Sequence, residues 1–487
     1  MYRKGKNDFA LVFACTLLAL LMSKGLALVP GMALDDYGAL HQGRNPLFYL
    51  WQGRFVQAGI QVLLSSLGLT PTSIAWPVII LFFGFAALAI TLGVLYVARD
   101  KGRASGLAAV GAVVASHPYL TEYFTYRESL ITQGTSYVLL ALVFVTAQCP
   151  RSESAPVEVG RWALLSVLMV LLAGTQQTVF LILGFFLIAG LVRQALGKQF
   201  SWQWLKVSDE GRFLLLYLLS AVGYVLIYLI IQKTTGVSLD SRSSIVGHEQ
   251  WQERARAVLS LTHKLLLSHE PTLSWGVKCY AFSVFLILLA VSGLRRPRGI
   301  LLIPLASLVF YLGSIFLVSI SGGWWPVPRA LYGLGFALGM SLLLVYLNSV
   351  GVLYRAFPVL TFIAAAGFSF HSSAMLHDQL RLNRWDAWAA GSIAQELLRS
   401  GGSESPVVLV GAPWMHPLGL SRIDGDLNIS ALSVPWAAGD LFMEATGRKW
   451  RVDSIAESAE CDGVSPWPVA GSIRKVNDAF YVCMGTR

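Results

Sequence analysis

Charge is scarce in this sequence: Asp, Glu, Lys and Arg make up 13% of its 487 residues, against 55% hydrophobic ones. A soluble domain carries about 25% charged residues, so an ordinary soluble fold is excluded, and a mean hydropathy of +0.60 points the same way. Strict apolar–polar alternation is missing from the long apolar runs. That excludes a barrel of membrane strands and leaves helices as the spanning structure. No internal repeat or low-complexity tract stands out, and a small-residue cleavage site after the first apolar run is also missing. The N-terminal run behind Arg3, Lys4 and Lys6 therefore reads as an uncleaved first helix. Cysteine is sparse, with five residues. Cys15, Cys149 and Cys279 lie in or beside apolar runs, which leaves Cys461 and Cys483 in the polar tail, able to pair if that tail is extracytoplasmic.

What is present is a recurrence of apolar runs, most of them long enough for a ~30 Å hydrocarbon core, over roughly the first 375 residues. The formal charge of +10 fits basic cytoplasmic loops better than nucleic-acid binding. The spans are expected at residues 10–30, 74–97, 104–116, 131–147, as two short helices within 162–192, and at 213–231, 277–294, 300–320, 330–347 and 353–370. With about eleven spans and the N-terminus inside, the tail is extracytoplasmic. The fold class is thus a polytopic α-helical membrane protein: a membrane domain, 1–375, with outer loops 31–73, 116–130, 232–275 and 321–329, and a small α/β cap, 376–487. Within the first loop, residues 46–67 repeat apolar positions at helical spacing and read as one amphipathic interfacial helix. In the cap, 377–399 reads as a helix with Leu380, Trp385, Trp388, Ile393 and Leu397 on one face. Residues 406–411 and 479–483 read as strands.

The polar residues that the positive-inside pattern does not explain all fall in outer loops. Asp35 and Asp36 are adjacent acids directly after the first span, with His41, Arg44 and Arg54 close behind. Glu122, Tyr126, Arg127 and Glu128 follow the third span, Gln176 and Gln177 interrupt a long apolar run, Arg242 lies in the longest outer loop, and Trp324, Trp325 and Arg329 open a late span. Neighbouring acids repel and are tolerated near apolar helices where cations or a ligand compensate. Outer arginines run against the orientation bias and match a lipid phosphate, onto which a guanidinium forks. A carboxylate with phosphate-holding arginines is minimal equipment for moving a sugar from a lipid phosphate to a hydroxyl. No cofactor is required; Asp35, Asp36 and His41 offer ligands for a divalent cation. Each feature also has a structural reading: a helix cap for the acids, snorkelling for Arg54, an ion-pair cluster around Glu122, Arg127 and Glu128, interhelical bonding for the glutamines, and an interfacial belt for the tryptophans.

Asp35 and Asp36 after the first span, Gly53–Arg54 before the second, Tyr126 to Ser129, Gly174 to Gln177, Ser241–Arg242 and Pro328–Arg329 together resemble the serotype-converting, Gtr type II glucosyltransferases of bacteria and phages, within the glycosyltransferase C (GT-C) superfamily. Where that family tends to carry an aspartate, this chain carries Glu128. The resemblance covers residues 10–350 or so and implies an undecaprenyl-phosphate-linked hexose donor, glucose first, used on the periplasmic face of the bacterial inner membrane. It further implies inversion at the anomeric carbon and a glycan acceptor such as O-antigen. The catalytic base carries over to Asp35 or Asp36, with Asp36 the weak preference. A flippase and a carrier-charging synthase are the implied functional partners. A lipid-to-protein glycosyltransferase and a lipid-linked sugar flippase are the alternatives. Clustering of the polar groups at one membrane face, and the absence of inverted repeats, argue against the flippase.

Overall fold

The computed structural model describes all residues except 1–5, 41–43, 100, 150–153, 198–207, 239–243, 268–274, 294–296, 402–404, 412–415, 417, 421–426 and 486–487. His41 and Arg242 lie outside the described residues.

In hydrocarbon every backbone N–H and C=O has to be satisfied within its own segment, and the apolar runs fold as helices. The first is α1 (Lys6–Lys24), followed by three short helices, α2 (Leu34–Tyr37), α3 (Pro46–Trp51) and α4 (Phe55–Ser66). Then come α5 (Ala75–Ala98), α6 (Ala104–Ser116), the one-turn α7 (Thr121–Thr125), α8 (Leu130–Gln148), α9 (Ala155–Thr175), α10 (Gln177–Gly197) and α11 (Asp209–Thr235). The amphipathic α12 (Trp251–Leu267) precedes α13 (Trp275–Gly293), α14 (Pro297–Ile320), α15 (Gly333–Asn348) and α16 (Gly351–Arg399). Each expected span coincides with a helix. Among the described residues, 8 helical stretches are long and apolar enough to cross a membrane, and α6 and α15 are shorter at 13 and 16 residues. α1 packs against α6, where Gly111 faces Thr16 and lets the two backbones approach. Phe82 of α5 stacks on Phe124 at 4.4 Å and lies 5.6 Å from Tyr137.

Three expectations change. The run at 162–192 forms two full-length helices of 21 residues each, because both extend into flanking sequence, from Ala155 and to Gly197. The single amphipathic helix at 46–67 is two helices, broken at Gln52–Arg54, where Gly53 takes φ 73°. The last span and the cap helix are one helix of 49 residues, since nothing between Phe370 and His377 breaks it. Its buried cap face runs through Leu376, Gln379, Leu382, Asp386, Ala389, Ala390, Ile393 and Leu397, a 3.6-residue period. Ile393 and Leu397 are on that face as expected, but Trp388 is exposed.

After α16 the chain builds a four-stranded sheet in the order β2–β1–β4–β3, with β1 (Val407–Gly411), β2 (Val452–Ile455), β3 (Ile473–Val476) and β4 (Ala479–Gly485). β1 pairs in parallel with β2 and β4, and β3 is antiparallel to β4. α17 (Pro435–Thr446) covers the sheet, and Cys461 and Cys483 are disulfide-bonded. The cap core, built on Leu397, Leu409, Leu441 and Val482, also takes in Leu34 and Tyr37 of α2. That contact ties the acidic loop to the cap.

Candidate functional site

α2 is a single turn that presents two unlike faces. Leu34, Asp36 and Tyr37 point inward, and Asp35 stays open with 26% of its side chain exposed. Asp36 is 0% exposed. One of its oxygens accepts the Ala33 N–H at 2.9 Å and the other accepts the Glu128 N–H at 2.9 Å. Its carboxylate thus closes its own helix turn and fastens it to the turn at 126–129. Burial pushes the Asp36 carboxyl up to about 6, against the opposing pull of the backbone N–H groups and the Arg127 charge.

Two arginines from distant segments converge on Asp35. The Arg44 guanidinium lies 3.0 Å from one carboxylate oxygen, and Arg329 lies 3.5 Å from the other. Arg44 also pairs with buried Glu128 at 2.9 Å and rests over the Phe48 ring. Tyr49 donates to Glu128 at 2.6 Å. Burial pushes the Glu128 carboxyl up to about 7, opposed by Arg44 and Tyr49 and reinforced by Asp35 and Asp36. Arg329 is held from four sides. It pairs with fully buried Glu122, whose other oxygen accepts the Arg329 N–H at 2.6 Å, and it donates to the Tyr126 hydroxyl. Its guanidinium also stacks over the Trp325 ring at 4.2 Å.

Arg127 turns away from this cluster. It donates through Nε and Nη2 to the carbonyls of Ala27, Val29 and Gly31 at 2.7, 2.9 and 3.1 Å, so it clamps the chain leaving α1 and spends these donors on backbone. Arg54 is the opposite case: its Nε is buried with no hydrogen-bond partner. Its charge is felt at the hydroxyls of Tyr49, Tyr123 and Tyr224. The break that positions it is fully accounted for. Tyr228, Gln177 and Tyr224 donate to the carbonyls of Trp51, Gln52 and Gly53 at 3.3, 2.8 and 3.2 Å. A Cβ on Gly53 would come within 3.2 Å of Gln177 Nε2, so that site needs glycine for both space and φ.

Gln177 is therefore committed to the backbone, whereas Gln176 donates to the Tyr123 hydroxyl at 2.8 Å and leaves its carbonyl oxygen unpartnered. Trp324 lies under the Arg254 guanidinium at 5.0 Å. Tyr49, Tyr123, Tyr224 and Arg254 all hold site groups, and sequence reading missed these roles. Tyr49 and Tyr224 sit in apolar helical stretches where no charge marks them, and Tyr123 and Arg254 sit among charged neighbours whose pattern does not say which of them reaches the site. Among the described residues no group of three or more His, Cys, Asp or Glu is arranged to hold a metal ion.

At the other end of the bundle Arg99 and Arg193 pair with buried Glu210. All the groups around Asp35 thus share the end on which the cap sits. An open carboxylate flanked by two guanidiniums, with a third, Arg54, whose Nε has no hydrogen-bond partner among the described residues, can take a proton and hold an anion.

No curated protein matches the chain. Among solved structures, the cryo-EM structure of the arabinofuranosyltransferase AftD from Mycobacteria aligns over 93% of this chain and 33% of that one, at 14% identity and a TM-score of 0.36. This chain thus spans about a third of that protein's length. The family described as Glucosyl transferase GtrII matches residues 30–348, from just before Asp35 to the end of α15. That match covers well over half of the chain and takes in the whole cluster, so the chain, a multi-pass membrane protein, belongs to the Glucosyl transferase GtrII family of glycosyltransferases.

Proposed function

We propose that this enzyme transfers a hexose, glucose first, from undecaprenyl phosphate to a glycan hydroxyl such as that of O-antigen, with inversion at the anomeric carbon. Asp35 is the general base. It takes the proton of the acceptor hydroxyl as that oxygen bonds to the anomeric carbon and the bond from that carbon to the phosphate oxygen breaks, leaving polyprenyl phosphate. The observation that carries this reading is the contrast between the two acids. Asp35 is open between Arg44 and Arg329, whereas both Asp36 oxygens are consumed by backbone N–H groups. The preference for Asp36 therefore passes to Asp35, and Asp36 becomes the group that sets the loop.

Arg329, Arg44 and Arg54, whose buried Nε has no hydrogen-bond partner among the described residues, are the guanidiniums for the phosphate. A phosphate arriving beside Arg44 competes with Glu128. With its carboxyl near 7, Glu128 can take a proton and release the guanidinium. Arg127 is left out of the donor site. Family membership sets the flippase aside, and the protein-acceptor alternative shares the same chemistry. The orientation we propose puts the N-terminus in the cytoplasm and the cap, 376–487, in the periplasm of the inner membrane. A disulfide-bonded cap suits an oxidising compartment.

The test is transfer of labelled glucose from synthetic polyprenyl-phosphate-glucose to O-polysaccharide by the purified protein. Asp35→Asn should lower the rate by about a hundredfold or more while leaving donor binding in place. Asp36→Asn should act through stability, removing one of two backbone acceptors at a cost of about 1–3 kcal/mol. A fully active Asp35→Asn enzyme would refute the assignment.

A further inference from the structure

Gly38, the residue that caps α2, lies three residues after Asp35 and therefore beside it on the turn. Both are solvent-accessible, while Leu34 and Tyr37 are buried in the cap core. Over Gly38 lies the ring of Trp436, from the first turn of α17. A Cβ built on Gly38 would lie 3.6 Å from Trp436 Cε3 and 3.8 Å from the Asp35 carbonyl oxygen. Trp436 is 50% exposed, whereas the residues that follow it, Ala437 and Ala438, are 0% exposed and pack in the same core as Leu34 and Tyr37. The ring is thus anchored through its backbone, set over Gly38 one helical turn from Asp35, and left half open. A half-exposed tryptophan over the turn that carries a carboxylate flanked by guanidiniums offers an apolar plane and no charge of its own.

From this geometry we infer that Trp436 is the stacking platform of the acceptor subsite. An acceptor pyranose lays the apolar C–H face of its ring on the indole and directs a hydroxyl toward Asp35. Sugar rings suit this plane because one face of a pyranose is largely C–H, and an aromatic π-cloud attracts polarised hydrogens. The phosphate end of the donor is served by Arg329, Arg44 and Arg54 on membrane-bundle segments. Trp436 comes from the cap, so the two substrates meet at Asp35 from two parts of the chain. This inference rests on the transferase reading given above.

The experiment measures initial rates for wild type, Trp436→Ala, Trp436→Leu and Trp436→Phe with polyprenyl-phosphate-glucose and purified O-polysaccharide, varying each substrate in turn. Release of free glucose to water is followed in the same samples. Loss of the ring in Trp436→Ala and Trp436→Leu should raise the acceptor KM about tenfold, the size of one aromatic contact. The donor KM and hydrolysis by water should stay at wild-type values. Trp436→Phe, which keeps an aromatic plane, should stay within about threefold of wild type. Trp436→Leu keeps the bulk against Gly38, so it reports even if Trp436→Ala fails to fold. An unchanged acceptor KM in the leucine variant overturns the inference, as does an equal rise in donor and acceptor KM. So does altered bilayer association with normal kinetics, which would make Trp436 a membrane anchor. If wild type itself neither transfers nor hydrolyses the donor, the parent reading fails and takes this one with it.

Discussion

At the scale of single residues, three buried carboxylates divide the labour around one open one. Glu122 holds Arg329, Asp36 holds the loop, and Glu128 holds Arg44 while accepting from Tyr49. Glu128 is 4% exposed, and its carboxyl, raised from the ordinary 4.5 to about 7, makes a definite stability prediction. Because the folded chain binds that proton more tightly than the unfolded one, the stability it contributes is fully present below about pH 4.5. It is lost as pH rises through about 7, with a total of about 3 kcal/mol. The melting temperature of Glu128→Gln protein in detergent should therefore fall less than that of wild type between pH 5 and pH 7.5. Parallel curves for the two proteins would rule out a raised Glu128.

At the scale of elements, the segment from Ile320 to Arg329 is pinned at both ends. Arg329 is fixed beside Asp35. At the other end Val246 N–H donates to the Ile320 carbonyl at 2.9 Å and Gly322 N–H to Ser244 at 2.8 Å. Arg254 of α12 then donates to the carbonyls of Val318 and Gly322 at 2.9 and 3.1 Å and covers Trp324. The amphipathic helix in the long loop is thus a strap on the segment that aims Trp325 and Arg329. Arg254→Ala should lower kcat by about ten- to a hundredfold, because small displacements of charge-holding groups are costly in rate. Arg254→Lys should recover part of that loss. A wild-type rate in Arg254→Ala would remove the strap from the mechanism.

At the scale of the whole molecule, α16 couples the bundle to the cap as one uninterrupted helix, and α2 couples them again through Leu34 and Tyr37. The cap is closed by a disulfide spanning 22 residues. A loop of that size contributes roughly 3 kcal/mol by chain-entropy reasoning. In intact cells Cys461 and Cys483 should resist maleimide until a reductant is added, while exposed Cys149, on the opposite face of the expected topology, should react once the reagent reaches the cytoplasm. Reaction of Cys461 and Cys483 without reductant would put the cap on the reducing side.

Much of this organisation was legible along the chain because it depends on local pattern. Spans follow from runs of apolar residues, which a bilayer forces into helices whatever their neighbours are. Two of the four cap strands, β1 and β4, followed from short apolar runs, whereas β2 and β3 did not, and the pairing of Cys461 with Cys483 followed from their being the cysteines of the polar tail. Most of the residues around Asp35 were legible too, since outer-loop charge in a charge-poor chain calls for a partner. Tertiary structure alone decided which partner. Asp35 and Asp36 are adjacent and chemically identical, yet the turn of α2 exposes one and buries the other. Arg127 and Arg329 are both arginines after a span, yet one finds three carbonyls and the other two carboxylates. Whether a polar side chain is spent on backbone or left open to a ligand is set by what lies within about 3 Å of it, and along this chain those neighbours are separated by 79 residues for Tyr49 and Glu128 and by 207 for Glu122 and Arg329.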